Sequence, residues 1–204
     1  MKHDPFKSLV CFDRESQLRK KWGLNAGAIM PLQRTWTRYM LDIWGSKYRG
    51  EEAPEGGKIN ILGRLMVRRE WNDHEAERII TVIENLSLQG YSGKELLIRA
   101  KEIVMPNNSG AAAITLAKEA DDAEIVEKAM TEVFTPDNPL RAVIIKRYCD
   151  RKSAQQISIQ LSDDTGVHLE VSRIRIRWAE NAAERVLFSA ISKQMENEIS
   201  QIAA

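Results

Sequence analysis

Three runs near the C-terminus decide the predicted fold: Leu140-Arg-Ala-Val-Ile-Ile-Lys-Arg-Tyr148, Ser153-Ala-Gln-Gln-Ile-Ser-Ile-Gln-Leu161 and Val171-Ser-Arg-Ile-Arg-Ile-Arg-Trp178. They predict a helix, a tight joint, a second helix, a loop, and a long third helix that opens with three alternating arginines. A helix-turn-helix presents the first turns of its last helix to the major groove, where arginine commonly pairs with guanine. The stretch from Pro139 to Ile191 therefore predicts DNA binding.

Local signals at the helix ends support this division. Pro139 suits the first turn of a helix, where its missing N–H removes no intrahelical hydrogen bond. Ser153 and Gln156 have the spacing of a capping box that opens the second helix. Asp163-Asp-Thr-Gly166 should end that helix, so the loop to Val171 is expected to be longer than the turn of a minimal helix-turn-helix.

The third helix should have an apolar face and a basic face. Its predicted core face is Val171, Ile174, Trp178, Ala182 and Val186, packed on Val143, Ile144, Ile157 and Leu161. Arg173 and Arg177 lie four residues apart and share an exposed face, whereas Arg175 points to a different flank. Ile176 falls off the predicted core face and has no explanation in this scheme.

The arginines allow two interpretations. Arg173, Arg175 and Arg177 could contact base edges and phosphates, with Arg151 and Lys152 at the start of the second helix as phosphate neighbours. Alternatively, they form a solvated face paired with nearby glutamates. Those glutamates are Glu170, Glu180 and Glu184.

The net charge of +1 hides an uneven distribution. Residues 1–71 carry a net charge of +6, residues 72–138 carry −7, and residues 139–204 carry +2. Basic ends around an acidic middle suit a protein that meets nucleic acid at its ends and another partner in between. Solvated helix faces would give the same distribution.

The remainder of the chain also predicts helices, because no segment alternates apolar and polar residues as a half-buried strand does. The glycine-rich run Gly50–Gly57 is the best linker candidate. The expected architecture is all-α. Residues 1–58 form an N-terminal helical segment with a linker loop, residues 59–135 a helical body, and residues 136–204 a sigma-region-4-like helix-turn-helix that binds DNA.

The sequence carries no catalytic, cofactor or metal motif of comparable strength. Two distant cysteines cannot form a zinc finger, and the three histidines are isolated. No phosphate-binding glycine loop, nucleophile elbow or catalytic carboxylate pair is present. We expect a protein that is not an enzyme, needs no cofactor and holds no metal. No apolar run reaches membrane-spanning length and the N-terminus is not a signal peptide, so the expected compartment is the cytoplasm.

Several of these runs resemble one family of phage regulators. They are Tyr39-Met-Leu-Asp-Ile-Trp-Gly45, Asp121-Asp-Ala-Glu-Ile-Val126, the helix ending in Lys146-Arg-Tyr148, the Ser153 helix, and the last helix running into Ala183-Glu-Arg-Val-Leu187. The pattern is similar to the short Q-type late antitermination proteins of lambdoid phages. The C-terminal layout also resembles the phage regulators ArpU and RinA and region 4 of sigma factors. Residues 1–31 and the 50–60 loop are additions relative to the short forms, and the zinc ligands of the cysteine-rich forms are absent.

The resemblance implies a specific function. Q-type proteins bind a DNA element within the phage late promoter, join RNA polymerase paused downstream, and let it read through terminators and pauses. The implied partners are double-stranded DNA and bacterial RNA polymerase with its sigma factor, and a second copy of the chain on DNA stays open. The resemblance assigns DNA reading to Ser172, Arg173, Arg175 and Arg177. The alternatives are a phage transcription activator that acts at initiation and a small terminase-like DNA-packaging protein.

Overall fold

Every regular element in the described part of the chain is helical, which confirms the all-α prediction. The computed structural model describes residues 4–49, 58–67, 73–104 and 122–203. A 3-10 helix at Pro5–Cys11 is followed by α1 (Glu15–Trp22), α2 (Pro31–Tyr48), α3 (Lys58–Met66), α4 (Asp73–Leu88), α5 (Gly93–Val104), α6 (Asp122–Val133), α7 (Pro139–Ile144), α8 (Ala154–Thr165) and α9 (Leu169–Ala203). The predicted linker Gly50–Gly57 lies outside the described residues. No helix within the described ranges is both long enough and apolar enough to cross a membrane.

The larger hydrophobic core joins the N-terminus to the C-terminal helices. The 3-10 helix, α1, α2, α6, α7, α8 and α9 all contribute buried side chains, among them Phe6, Trp36, Met130, Leu140 and Leu187. The long helix α9 packs against α2, α6, α7 and α8 along its length. The predicted recognition helix is therefore a central element of the fold, with only part of its surface exposed.

A second core lies between α3, α4 and α5. It is formed by residues such as Leu62, Ile79 and Leu97. Helix α3 meets α2 where Gly63 lies against the indole of Trp36, and a Cβ at Gly63 would overlap that ring. Helix α6, which the sequence analysis grouped with the middle segment, contributes to the larger core instead. The division into residues 1–58, 59–135 and 136–204 stays a prediction.

A π-helical turn at Ile145–Cys149 links α7 to the joint before α8. Asn138 caps the start of α7, where its Oδ1 accepts a hydrogen bond of 2.9 Å from the Leu140 amide. At the other end, the Ile145 carbonyl accepts a hydrogen bond of 3.0 Å from the Asp150 amide, which widens the last turn. Gly45 of α2 packs so closely on the Tyr148 carbonyl that a Cβ there would overlap it. Helix α2 is thus fixed against the joint that precedes α8.

Candidate nucleic-acid interface

The turn between α8 and α9 has the length of a helix-turn-helix turn. Helix α8 ends at Thr165, and Gly166 caps it in a left-handed conformation with φ of 72°. Helix α9 begins at Leu169, so only residues 166–168 separate the two helices. Ser162 Oγ donates a hydrogen bond of 2.8 Å to the Val167 carbonyl and fixes this turn. The expectation of a long loop is wrong, because α9 begins two residues before Val171. Three to four residues, often including glycine, are usual in this motif.

The start of α8 is the capping box that the sequence predicted. The Ser153 amide donates to Gln156 Oε1 at 2.8 Å, and the Gln156 amide donates to Ser153 Oγ at 3.2 Å. Two amides without an intrahelical acceptor are thereby satisfied. This box sets the direction in which α8 leaves the joint that carries Arg151 and Lys152.

Arg173 and Arg177 lie on adjacent exposed turns at the start of α9. The Arg173 side chain is 40% exposed and pairs with Glu170 one turn earlier. Arg177 is exposed and makes no ion pair with any residue that the structure describes. Residues four apart on a helix share a face, so the two guanidinium groups project from the same side. They form the basic part of the surface that the turn presents.

Ser172 and Arg175 lie in the interior, contrary to their predicted role as DNA readers. Ser172 is fully buried, and its Oγ has no hydrogen-bond partner among the described residues. Arg175 is 9% exposed, and its Nε donates a hydrogen bond of 2.8 Å to the Phe12 carbonyl. Its guanidinium also lies 3.5 Å from the Asp13 carboxylate. Neither side chain can reach DNA in this arrangement, and Arg175 instead ties the N-terminal residues to α9.

The predicted core face of α9 is also wrong at its start. Val171 and Ile174 are 36% and 40% exposed, whereas Ile176, which the sequence analysis left unexplained, is buried. Trp178 is half-buried, and Ala182 and Val186 are buried as predicted. The buried side of the first turns consists of Ser172, Arg175, Ile176 and Ala179, because contacts with several other helices set the orientation of α9.

Arg151 and Lys152 lie beside the third turn of α9. Arg147 Nη1 donates a hydrogen bond of 3.0 Å to the Lys152 carbonyl, and its Nε lies 3.7 Å from Glu180 of α9. Arg151 is exposed and has φ of 52°, a left-handed conformation that non-glycine residues rarely adopt. Lys152 Nζ donates to Gln160 Oε1 at 3.0 Å. The joint is therefore next to the turn that carries Arg177, three residues before Glu180.

A polar cleft of about 470 Å³ opens between α2, the π-helical turn and α9. Four arginines and three carboxylates line it: Arg38, Arg49, Arg147, Arg151, Asp42, Glu180 and Glu184. Arg38 Nε donates to Glu184 at 2.6 Å, and Arg34 Nε lies 3.3 Å from the same carboxylate. Glu184 is 2% exposed, so both guanidinium groups compensate a buried charge.

Burial sets the protonation chemistry of this cleft. Desolvation raises the pKa of Glu180, Arg147 opposes that shift, and the neighbouring Glu184 adds to it. Desolvation likewise raises the pKa of Asp42, against the influence of Arg147 and Arg49. The hydrogen bond to Glu184 raises the pKa of Arg38. The arginines of the cleft compensate the charge of these carboxylates and already bond to protein groups. The contacts across the cleft therefore hold α2 against α9.

These contacts between α2 and α9 were not predicted from the sequence. Arg34, Arg38 and Asp42 recur every four residues along α2, which places them on one polar face. Glu180 and Glu184 have the same spacing on α9. The repeated spacing was the available signal, but no local rule joins two helices so far apart in sequence.

The described residues present little that resembles a catalytic or metal site. Within them, no group of three or more His, Cys, Asp or Glu side chains is placed to hold a metal ion. Cys11 is exposed, and Cys149 is buried with its pKa raised by desolvation to about 11. A thiol with that pKa is mostly protonated near neutral pH and is a poor nucleophile.

Comparison of the chain with protein-family models, curated proteins and solved structures found no match.

Proposed function

We propose that this protein binds double-stranded DNA through α8, the turn at residues 166–168 and the start of α9. We further propose that it acts in the cytoplasm of a bacterial host as a phage late-gene antitermination factor. The observation that carries the proposal is the pair Arg173 and Arg177, on adjacent exposed turns directly after a three-residue turn. In a helix-turn-helix these first turns enter the major groove.

The charges on this surface favour a nucleic-acid partner. Arg177 has no competing ion pair among the described residues, and Arg173 has only the exposed Glu170 as partner. Exposed ion pairs contribute about 0–1 kcal/mol, so DNA can displace this one at small cost. Arg151 and Lys152 lie at the adjoining joint, where they could contact phosphates. Asp163 and Asp164 at the end of α8 limit the basic area to this side of the turn.

The polymerase part of the proposal rests on the family resemblance. Two runs that carry it, Tyr39–Gly45 and Lys146–Tyr148, meet where Gly45 packs on the Tyr148 carbonyl. Gly45 leaves room for this contact, which is a physical reason for glycine in that pattern. Two of the runs that carry the resemblance therefore pack together, α2 against the π-helical turn, which suits a protein that combines DNA binding with a second contact.

A binding experiment tests the DNA part. The wild-type chain first selects a duplex from a randomised library, and affinities for that duplex are then measured by fluorescence anisotropy. The double substitution Arg173→Ala and Arg177→Ala should weaken binding by about 1–3 kcal/mol for each lost base contact. The matched control is Arg78→Ala with Arg99→Ala, which removes two arginines of 55% and 52% exposure on α4 and α5. Equal losses for both pairs would exclude α9 as the DNA reader.

A transcription experiment tests the antitermination part. Purified bacterial RNA polymerase transcribes a template that carries the selected duplex at the promoter and a terminator downstream. An antitermination factor increases the fraction of transcripts that pass the terminator. A factor that acts at initiation raises the total number of transcripts and leaves that fraction unchanged, and this outcome would replace antitermination with activation.

A further inference from the structure

Two apolar side chains lie exposed beside the arginines of α9. Val171 is 36% exposed and Ile174 is 40% exposed, and they are three residues apart in the first two turns. Other exposed large apolar residues of the described chain, such as Leu24, Tyr48 and Leu88, lie on separate elements. Single exposed apolar residues are ordinary, but two neighbours on one helix face favour a contact with a partner.

The geometry of a helix orders these side chains around α9. At about 100° per residue, Val171 and Ile174 fall on one side of the exposed arc, and Arg177 and Arg173 fall on the other. Ile174 lies between Val171 and Arg177 on this arc. The first three turns of α9 therefore present an apolar strip and a basic strip on one exposed arc, with the exposed Glu170 at the boundary between them.

We infer that Val171 and Ile174 read thymine, through contact with the C5-methyl groups that thymine exposes in the major groove. The methyl group is the one apolar feature of a base-pair edge there, and aliphatic or methyl-bearing side chains pack on it. The adjacent arginines fit the phosphates and guanines of the same groove, which favours DNA over an apolar protein surface. This inference rests on the proposed function and adds the bases that the site prefers.

The test compares thymine with deoxyuridine, which lacks only the methyl group. The probe is the duplex selected by the wild-type chain, made with thymine or with deoxyuridine at each thymine position in turn. Wild-type affinity should fall about fourfold at each contacted position, which corresponds to about 0.8 kcal/mol for one buried methyl-sized group. Ile174→Ala or Val171→Ala should weaken binding to the thymine duplex and abolish the difference between the two duplexes at one position.

The matched control is Leu88→Ala, which removes an apolar side chain of 87% exposure from α4. This variant should keep the full thymine preference. A wild-type protein that binds both duplexes equally would overturn the inference while leaving DNA binding intact. A double variant with Ile174→Ala and Val171→Ala that keeps the thymine preference would also overturn the inference. If no duplex is selected, or the Arg173 and Arg177 substitutions change nothing, the proposed function itself fails, and the thymine inference fails with it.

Discussion

Arg175 should stabilise the fold and have no direct role in reading DNA. Arg175→Ala removes the 2.8 Å hydrogen bond from Nε to the Phe12 carbonyl and leaves that carbonyl without this donor. A hydrogen bond to a charged group contributes about 1.5–3 kcal/mol, and the two lost buried methylenes contribute about 0.8 kcal/mol each. The ion pair with Asp13 adds less than about 1 kcal/mol, because that carboxylate is 83% exposed. The free energy of unfolding should therefore fall by about 3–5.5 kcal/mol.

Urea unfolding followed by far-ultraviolet circular dichroism measures this loss. Arg175→Met keeps an apolar stem and should lose only the hydrogen-bond part, about 1.5–3 kcal/mol. Arg177→Ala, at an exposed position, should stay within about 0.5 kcal/mol of the wild type. The three variants separate the guanidinium, the stem and the general effect of removing an arginine from α9.

The effects of Arg175→Ala and Arg177→Ala on DNA affinity should rank in the opposite order to their effects on stability. Under conditions where Arg175→Ala is folded, it should bind the selected duplex like the wild type, whereas Arg177→Ala should bind more weakly. An Arg175→Ala protein of wild-type stability that fails to bind DNA would refute the reasoning, because it would show that Arg175 reaches the duplex.

Four further substitutions test other parts of the structure. Gly45→Ala should lower the free energy of unfolding by about 1–3 kcal/mol, because its methyl group overlaps the Tyr148 carbonyl; thermal unfolding measures the loss. Ser172→Ala should leave stability and DNA affinity unchanged or raise stability, since it removes a buried hydroxyl without a partner; urea unfolding and anisotropy check both. Burial raises the pKa of Glu180. Its contribution to stability is therefore complete below the unfolded pKa and is lost as pH rises through the folded pKa. Glu180→Gln should reduce this loss of stability in unfolding curves recorded from pH 4 to 8. The pH dependence of stability has the opposite sign for Glu132, because hydrogen bonds from α9 lower its pKa. Glu132→Gln should therefore remove stability that the wild type loses as pH falls.

The start of α7 and both ends of α8 were predictable because their signals are local. Pro139 lies in the first turn of α7, Ser153 and Gln156 form the capping box that begins α8, and Gly166 caps the end of α8 in a left-handed conformation. Each signal satisfies backbone groups within a few residues of itself. A single sequence is therefore enough to find these positions.

The orientation of α9 was not predictable in the same way. Two apolar side chains at its start, Val171 and Ile174, point outward, while Ser172, Ile176 and Ala179 point inward. The inward side is chosen by helices that pack on α9 from elsewhere in the chain, and a small side chain lets them approach closely. The contact between Arg175 and Phe12 spans 163 residues, so no periodicity within α9 could reveal it.

The contacts between α2 and α9, which are distant in sequence, support the proposed function. Glu184 lies on the side of α9 that also carries Arg173 and Arg177, and its buried carboxylate is held by Arg34 and Arg38 of α2. Removing either arginine would leave the buried Glu184 carboxylate less compensated, so these contacts hold α2 against α9. A partner bound to α2 would then lie at a defined orientation to the proposed DNA-reading surface. This arrangement suits the proposed function, in which the protein holds a second molecule in a defined position relative to its DNA site.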